Sequence, residues 1–247
     1  MIKFFRNIRH SLINQNKMGK YLKYAIGEII LVMIGILLAL QVNNWNTKRL
    51  LKSKEQVYLQ QIRISLNDDL KRIKGVKEFN ALKASKIDST FAVLEQTSNP
   101  EIYVPAIINY MFVTAEFDVF KPNNIAFENM ITSENIDLIT NMELRKNLSL
   151  YYQRDFVNTT QERIKEQTRQ FVDYIIPKIG NRQVMKQLTK HDSHLPDISE
   201  VNLHSDTQVY ANLLIMNLSI DGQNELLDTT AEDIKRLLDL IDNNLKL

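Results

Sequence analysis

The sequence predicts an all-α protein, with one N-terminal transmembrane helix followed by a multi-helix extracytoplasmic bundle. Three observations carry that reading. Residues 25–42, AIGEIILVMIGILLALQV, form an 18-residue run of almost pure Ile, Leu, Val and Ala in which Glu28 is the single charge. From residue 47 onward apolar side chains recur at three- and four-residue steps, and no stretch alternates cleanly enough for a strand. Glycine and proline are scarce, 6 and 5 of 247 residues, and only Gly75, Gly180 and Gly222 lie beyond the apolar run. A turn-rich β fold or a phosphate-binding loop would need more glycine.

The elements follow in order. Residues 1–24 form a basic tail with six Lys/Arg (Lys3, Arg6, Arg9, Lys17, Lys20, Lys23) and no acid. Ile2, Phe5, Ile8 and Leu12 recur at helical spacing. The tail reads as an amphipathic helix on an anionic membrane surface, or as a solvated basic tail that only sets topology. Residues 25–42 at 1.5 Å per residue reach roughly 27 Å, the thickness of a bilayer's hydrocarbon core. The run exceeds a signal-peptide core and lacks a small-x-small cleavage site, so it reads as an uncleaved anchor. Tyr21 and Tyr24 on one side and Trp45 on the other are the expected interfacial anchors. The far flank carries four cations (Lys48, Arg49, Lys52, Lys54), fewer than the tail. The positive-inside rule therefore places the N-terminus in the cytoplasm and the C-terminal domain outside, in the periplasm if the membrane is a bacterial inner membrane.

Gly27, Gly35 and Ala39 form a small-residue stripe that lets two helix backbones approach. Glu28, Val32, Gly35 and Ala39 share a face at helical spacing. Glu28 thus reads either as a contact to another span or as a carboxylate that reaches the interface beside Lys20 or Lys23. Gly27, Glu28, Gly35 and Ala39 are the candidate interaction residues, toward a second copy or a partner membrane protein.

Residues 43–247 are expected to form an all-helical soluble domain. Leu59, Ile62, Leu66, Leu70, Ile73 and Val76 head a long amphipathic helix over 47–97, extending from the span with at most a small break near Asn43–Asn46. Asp69, Asn80 and Lys83 fall at its seam positions, which argues for a bundle helix rather than a coiled coil. Ser98-Asn99-Pro100-Glu101 stops one helix and starts the next. A buried helix over 105–118 follows, with Phe112 and Phe117 among its apolar residues, then a turn at Lys121-Pro122-Asn123-Asn124 and a short helix from Ile125. Thr140 and Glu143 form a capping box that opens a helix running to about Ile176, closed by Pro177 and Gly180. Residues 178–205 read as an exposed loop. Asp206 starts a helix that Asp221-Gly222 breaks, and a last helix runs to the end.

Chemistry is sparse. The chain has no Cys, which excludes disulfides and thiolate sites. After residue 24 it holds 29 acidic side chains against 25 basic ones, so it exerts no net pull on nucleic acid. His191, His194 and His204 lie near Asp192, Asp197 and Asp206, without the helical spacing of a zinc site. No catalytic motif is present. We expect no catalytic residue, no cofactor and no metal, and a chain that is not an enzyme.

One resemblance adds to this. Tyr24-Ala25-Ile26-Gly27-Glu28-Ile29 and Ile34-Gly35-Ile36-Leu37-Leu38-Ala39-Leu40-Gln41-Val42-Asn43-Asn44-Trp45-Asn46 are similar to the opening of an uncharacterised family of bacterial membrane proteins with one N-terminal span, a domain of unknown function. Pro122 through Glu128, Leu138-Ile139, Leu144-Arg145 and Tyr151-Tyr152 resemble it too, as does the pair of amphipathic C-terminal helices. The family differs at Ser133-Glu134-Asn135, where a Gly is expected and Asn can take the left-handed position. The resemblance spans the whole chain and implies a bacterial envelope protein. The expected role is an interaction or sensory-type accessory module. The alternatives are a helical domain that binds a small ligand or lipid, and an extracytoplasmic enzyme with a site near His191–His204 or Tyr151-Tyr152.

Overall fold

The structure, a computed structural model, describes residues 18–245, without the side chains of Met18, Lys20 and Tyr21. The proposed amphipathic tail and the Tyr21 anchor therefore lie outside the described residues. Among the described residues there are seven α-helices and no strand. They are α1 (Met18–Gln96), α2 (Pro100–Thr114), α3 (Ile125–Thr132), α4 (Met142–Gln153), α5 (Thr160–Ile179), α6 (Arg182–Thr189) and α7 (Thr207–Leu245). Short 3₁₀ turns occupy Ile136–Leu138 and Ile198–Glu200. The chain divides into two compact units, Met1–Val57 and Tyr58–Leu247.

In the first unit α1 runs without a break through Asn43–Asn46. Neither proline nor glycine interrupts that stretch, so the ladder has no reason to open. Every side chain from Leu22 to Leu51 is exposed except Ala25 and Glu28, which are half-buried.

The second unit packs the remainder of α1 with α2–α7. The local sequence sets most boundaries. Asn99 caps α2 by accepting from the Glu101 N–H at 3.0 Å, with Pro100 in the first turn, where its missing N–H costs nothing. Asp206 accepts from the Gln208 N–H at 3.0 Å and opens α7.

Several expectations are corrected. The helix expected over 105–118 ends at Thr114 and starts at Pro100, and its buried stripe is Tyr103, Val104, Ile107, Met111 and Thr114. Phe112 and Phe117 are exposed instead. Asn141, not Thr140, caps α4, accepting from the Leu144 N–H at 3.1 Å. The helix expected from Glu143 to Ile176 is two helices. Asp155 accepts from the backbone N–H groups of Val157 and Asn158 at 2.9 and 3.0 Å, an Asx turn that competes with the helical ladder. Thr159 then caps α5. The stretch 178–205 holds the end of α5, all of α6 and a 3₁₀ turn, because Asn181 caps α6 by accepting from the Val184 N–H at 3.0 Å. Pro177 sits inside the last turns of α5, and Gly180 caps it. Helix α7 passes straight through Asp221-Gly222. Gly222 faces α5, and a Cβ there would meet Thr160 Cγ2 at 3.5 Å. The left-handed residue closing α3 is Glu134 (φ 55°), not Asn135. The Asn135 N–H returns to Met130 O at 2.9 Å and the Glu134 N–H to Ile131 O at 2.9 Å, a Schellman closure.

Two apolar layers succeed one another inside this unit. One joins Leu59, Ile62, Leu66 and Val76 of α1 to Leu144 and Leu148 of α4 and Leu227, Ile234 and Ile241 of α7. The other joins Ile87 and Leu94 of α1 to Ile107 of α2, Ile164 and Phe171 of α5 and Leu213 and Met216 of α7. Along α1 the apolar residues give way to Asn80 and Lys83 between the layers, and along α7 to Gln223, all three with no exposed surface.

Candidate functional site

Two regions concentrate the chemistry, and each lies within one unit. The first is the apolar segment of α1. Its 18-residue apolar window has a mean hydropathy of 2.4, and each of its residues is exposed or half-buried. Gly27, Glu28, Gly35 and Ala39 lie on one helix, where a period of 3.6 residues aligns Glu28 with Gly35 and Ala39 and sets Gly27 beside that line. A Cβ on Gly27 or Gly35 would meet nothing within 4 Å. Lys23, Tyr24, Gly27, Glu28 and Leu31 frame a shallow open groove. Trp45 and Tyr24 are exposed toward the two ends of the run.

The second region is the polar belt between the two apolar layers. It is built around residues 115–124, an irregular strap joining α2 to α3. Only Phe120 of the strap is buried, but a strap without a helical ladder leaves backbone polar groups that need partners wherever water is excluded. Side chains from three helices supply them. From α1, Lys83 Nζ donates to Glu116 O at 2.5 Å and to Thr168 Oγ1 at 2.6 Å. Arg72 donates to the Asp118 carboxylate at 2.8 Å and to Val119 O at 2.9 Å. Asp69 accepts from the Asn123 N–H at 2.7 Å and from the Tyr151 hydroxyl at 2.9 Å. From α5, Gln161 accepts from the Phe120 N–H at 2.6 Å and returns its own N–H to Phe120 O at 2.9 Å. From α7, Gln223 donates to Asp118 O at 2.9 Å and to Gln161 Oε1 at 3.2 Å. Asn80 donates to Gln223 Oε1 at 2.9 Å.

Burial shapes the electrostatics. It lowers the Lys83 ammonium from the usual lysine range to about 7, against the smaller opposing pull of Glu116. Burial also raises the Asp69 carboxyl, opposed by its bonds from Asn123 and Tyr151. The Tyr151 hydroxyl is pushed up by the same burial and by the neighbouring Asp69 charge.

The histidines do not assemble. His191 and His194 are exposed, Asp192 pairs with Lys186 at 2.8 Å, and His204 Nδ1 lies 2.6 Å from Leu94 O. Among the described residues no group of three His, Asp or Glu comes together at metal-binding distance. Tyr151 is buried and Tyr152 half-buried, its ring stacked on Phe127 at 4.6 Å between centroids. The belt residues were visible in the sequence only as polar intruders at the seam of α1. Gln161, Thr168 and Gln223 gave no signal, because an amide or hydroxyl on a helix is usually solvated.

A family model matches residues 28–185, from Glu28 in the apolar segment into α6. The chain belongs to DUF6090, a family of unknown function. No curated protein and no solved structure matches it. The DUF6090 match is narrower than the whole-chain resemblance expected from the sequence. It takes in Glu28, Gly35 and Ala39, the strap, and the belt residues of α1 and α5. Gly27 and Gln223 fall outside it.

Proposed function

We propose that this DUF6090 chain is a membrane-anchored helical protein whose C-terminal domain lies outside the cytoplasm, acting as an interaction or sensory-type accessory module rather than as an enzyme. The observation that carries the reading is the unburied apolar window of α1, with mean hydropathy 2.4. A soluble protein would cover such a surface with its own core, whereas a helix satisfies its backbone internally and is stable in lipid. The excess of cations in residues 1–24 supports a cytoplasmic N-terminus in a bacterial inner membrane. Tyr24 and Trp45, exposed at the two ends of the run, suit the interfaces.

The module's contact surface is the face carrying Gly27, Glu28, Gly35 and Ala39, toward a second copy or a partner span. Open space around both glycines suits close backbone approach. A carboxylate within the hydrocarbon is costly, roughly 2.5–3.5 kcal/mol at the centre, and a protein contact lowers that cost. A non-catalytic domain is supported by the use of its buried polar side chains, which serve the strap's backbone. The clefts of this domain, about 190 Å³ beside Arg154 and Asp233 and about 210 Å³ beside Phe117 and Gln161, are smaller than the ~300 Å³ or more of small-molecule sites, which puts ligand binding second.

The test is in-cell crosslinking and co-purification from native membranes, comparing wild type with Glu28→Gln. A defined partner or dimer band that weakens in the variant is expected. Full-length protein that crosslinks to nothing, itself included, contradicts an interaction module.

A further inference from the structure

Lys83 is the least expected side chain in the second unit. It has no exposed surface, and no carboxylate lies within ion-pair distance of its Nζ. A lysine so placed normally finds a counter-ion, because an unpaired buried charge is expensive. Its bonding fits the neutral form better. Nζ has two acceptors, Glu116 O at 2.5 Å and Thr168 Oγ1 at 2.6 Å, and Thr168 spends its own hydrogen on Ile164 O at 2.7 Å. A neutral amine has two N–H donors and both are used. An ammonium has three, and the third would be buried without a partner.

The two acceptors belong to unlike elements. Thr168 is in the middle of α5, whose backbone is held by its own ladder. Glu116 lies at the start of the strap, where its own N–H still reaches Val113 O of α2 at 3.2 Å; beyond it the strap has no ladder and its anchors are side chains. When Lys83 gains a proton, the cheapest way to hydrate it is to move the strap. The carboxylate of Glu116 is exposed and can then meet the ammonium in water.

We propose that Lys83 is a proton-operated latch: as a neutral amine it pins the 115–120 part of the strap to α1 and α5, and protonation releases it. The ionisable groups around it agree. From the strap, Glu116 favours the ammonium, though less than burial disfavours it, so that the amine titrates at about 7. Asp118, the next acid along the strap, is engaged by Arg72. The α5 partner is neutral Thr168, and α7 adds no ionisable group that acts on the amine. The latch lies wholly within the second unit and does not depend on the interaction-module reading.

Hydrogen–deuterium exchange of the full-length chain in detergent or nanodiscs tests this. Peptides covering 115–120 are followed from pH 5.5 to 8.5, with each rate divided by the intrinsic rate at that pH. Uptake of one proton on opening makes protection fall about tenfold per pH unit as pH drops toward the midpoint at about 7, and level off below it. Glu116→Gln, an exposed and conservative change, removes the charge that favours the ammonium and shifts the midpoint to lower pH. Lys83→Met abolishes the pH dependence. Wild-type protection that is flat across the range overturns the latch. So does a dependence that survives Lys83→Met, which would assign it to another group such as Asp69, or a midpoint that Glu116→Gln leaves in place.

Discussion

Asp69, Asn80 and Lys83 occupy positions on α1 where an uninterrupted seam would carry Leu or Ile, and the burial of Asp69 and Lys83 makes stability depend on pH. For Lys83 the folded value, about 7, lies below the ordinary lysine value of 10.5. Between those values the unfolded chain holds a proton that the folded chain gives up, so stability rises with pH over that window and its cost is complete below pH 7. Asp69 works the other way: its raised carboxyl favours the folded state in acid, and that contribution is lost as pH rises through the folded value. Thermal melts of the full-length protein should therefore show a midpoint that climbs from pH 7 to pH 9.5. Lys83→Met should flatten that climb, and a variant that retains the wild-type slope would remove Lys83 as its source. At this scale the sequence was only half legible. Asp69, Asn80 and Lys83 stood out because they broke a periodicity, yet their partners on α5, α7 and the strap are distant in the chain and no local pattern ties them together. The same limit applies at Glu134. The need for a left-handed residue after α3 was legible, but Asn135 was favoured on propensity, whereas Asn135 donates to the Tyr58 hydroxyl at 3.0 Å and Glu134 takes the strained position.

At the scale of elements, helix starts were more legible than helix interruptions. Asn99-Pro100 and Asp206 acted as caps because a side-chain acceptor next to a first turn satisfies orphan N–H groups wherever it occurs. The break at Asp155–Thr159 was legible in principle as a cluster of Asp, Asn and Thr, but Phe156 within it and Ile164 after it extended the apolar pattern across it. Phe156 is in fact the turn's anchor, buried against Phe120 at 5.4 Å between ring centroids. Gly222 misled in the opposite direction. A glycine beside an aspartate suggests a stop, but here it sits where α7 crosses Thr160 of α5. A methyl group at 3.5 Å from Thr160 Cγ2 is in ordinary van der Waals contact. Gly222→Ala should thus stabilise the domain, by about 0.5–1 kcal/mol from helix propensity, measured by urea unfolding. A loss of stability would show that the crossing needs the bare glycine.

For the whole molecule, the all-α class was legible from periodicity and from the scarcity of glycine, and the apolar segment from composition alone. The organisation of the second unit was not. Its two apolar layers and the polar belt between them depend on which faces of α1, α5 and α7 meet, and a single chain's pattern does not encode that pairing. The membrane reading rests on physics that can be tested without knowing any partner. The chain has no cysteine, so one introduced thiol is the sole target of a maleimide. We would place single cysteines at Gly19, Leu37 and Ser53, all exposed, and label intact cells and then opened membranes with a membrane-impermeant maleimide. Embedding of residues 25–42 with the N-terminus inside predicts labelling of Ser53→Cys in intact cells, of Gly19→Cys only after opening, and of Leu37→Cys in neither. Labelling of all three on the same side, or of Leu37→Cys as fast as its neighbours, would contradict the span and with it the proposed anchor.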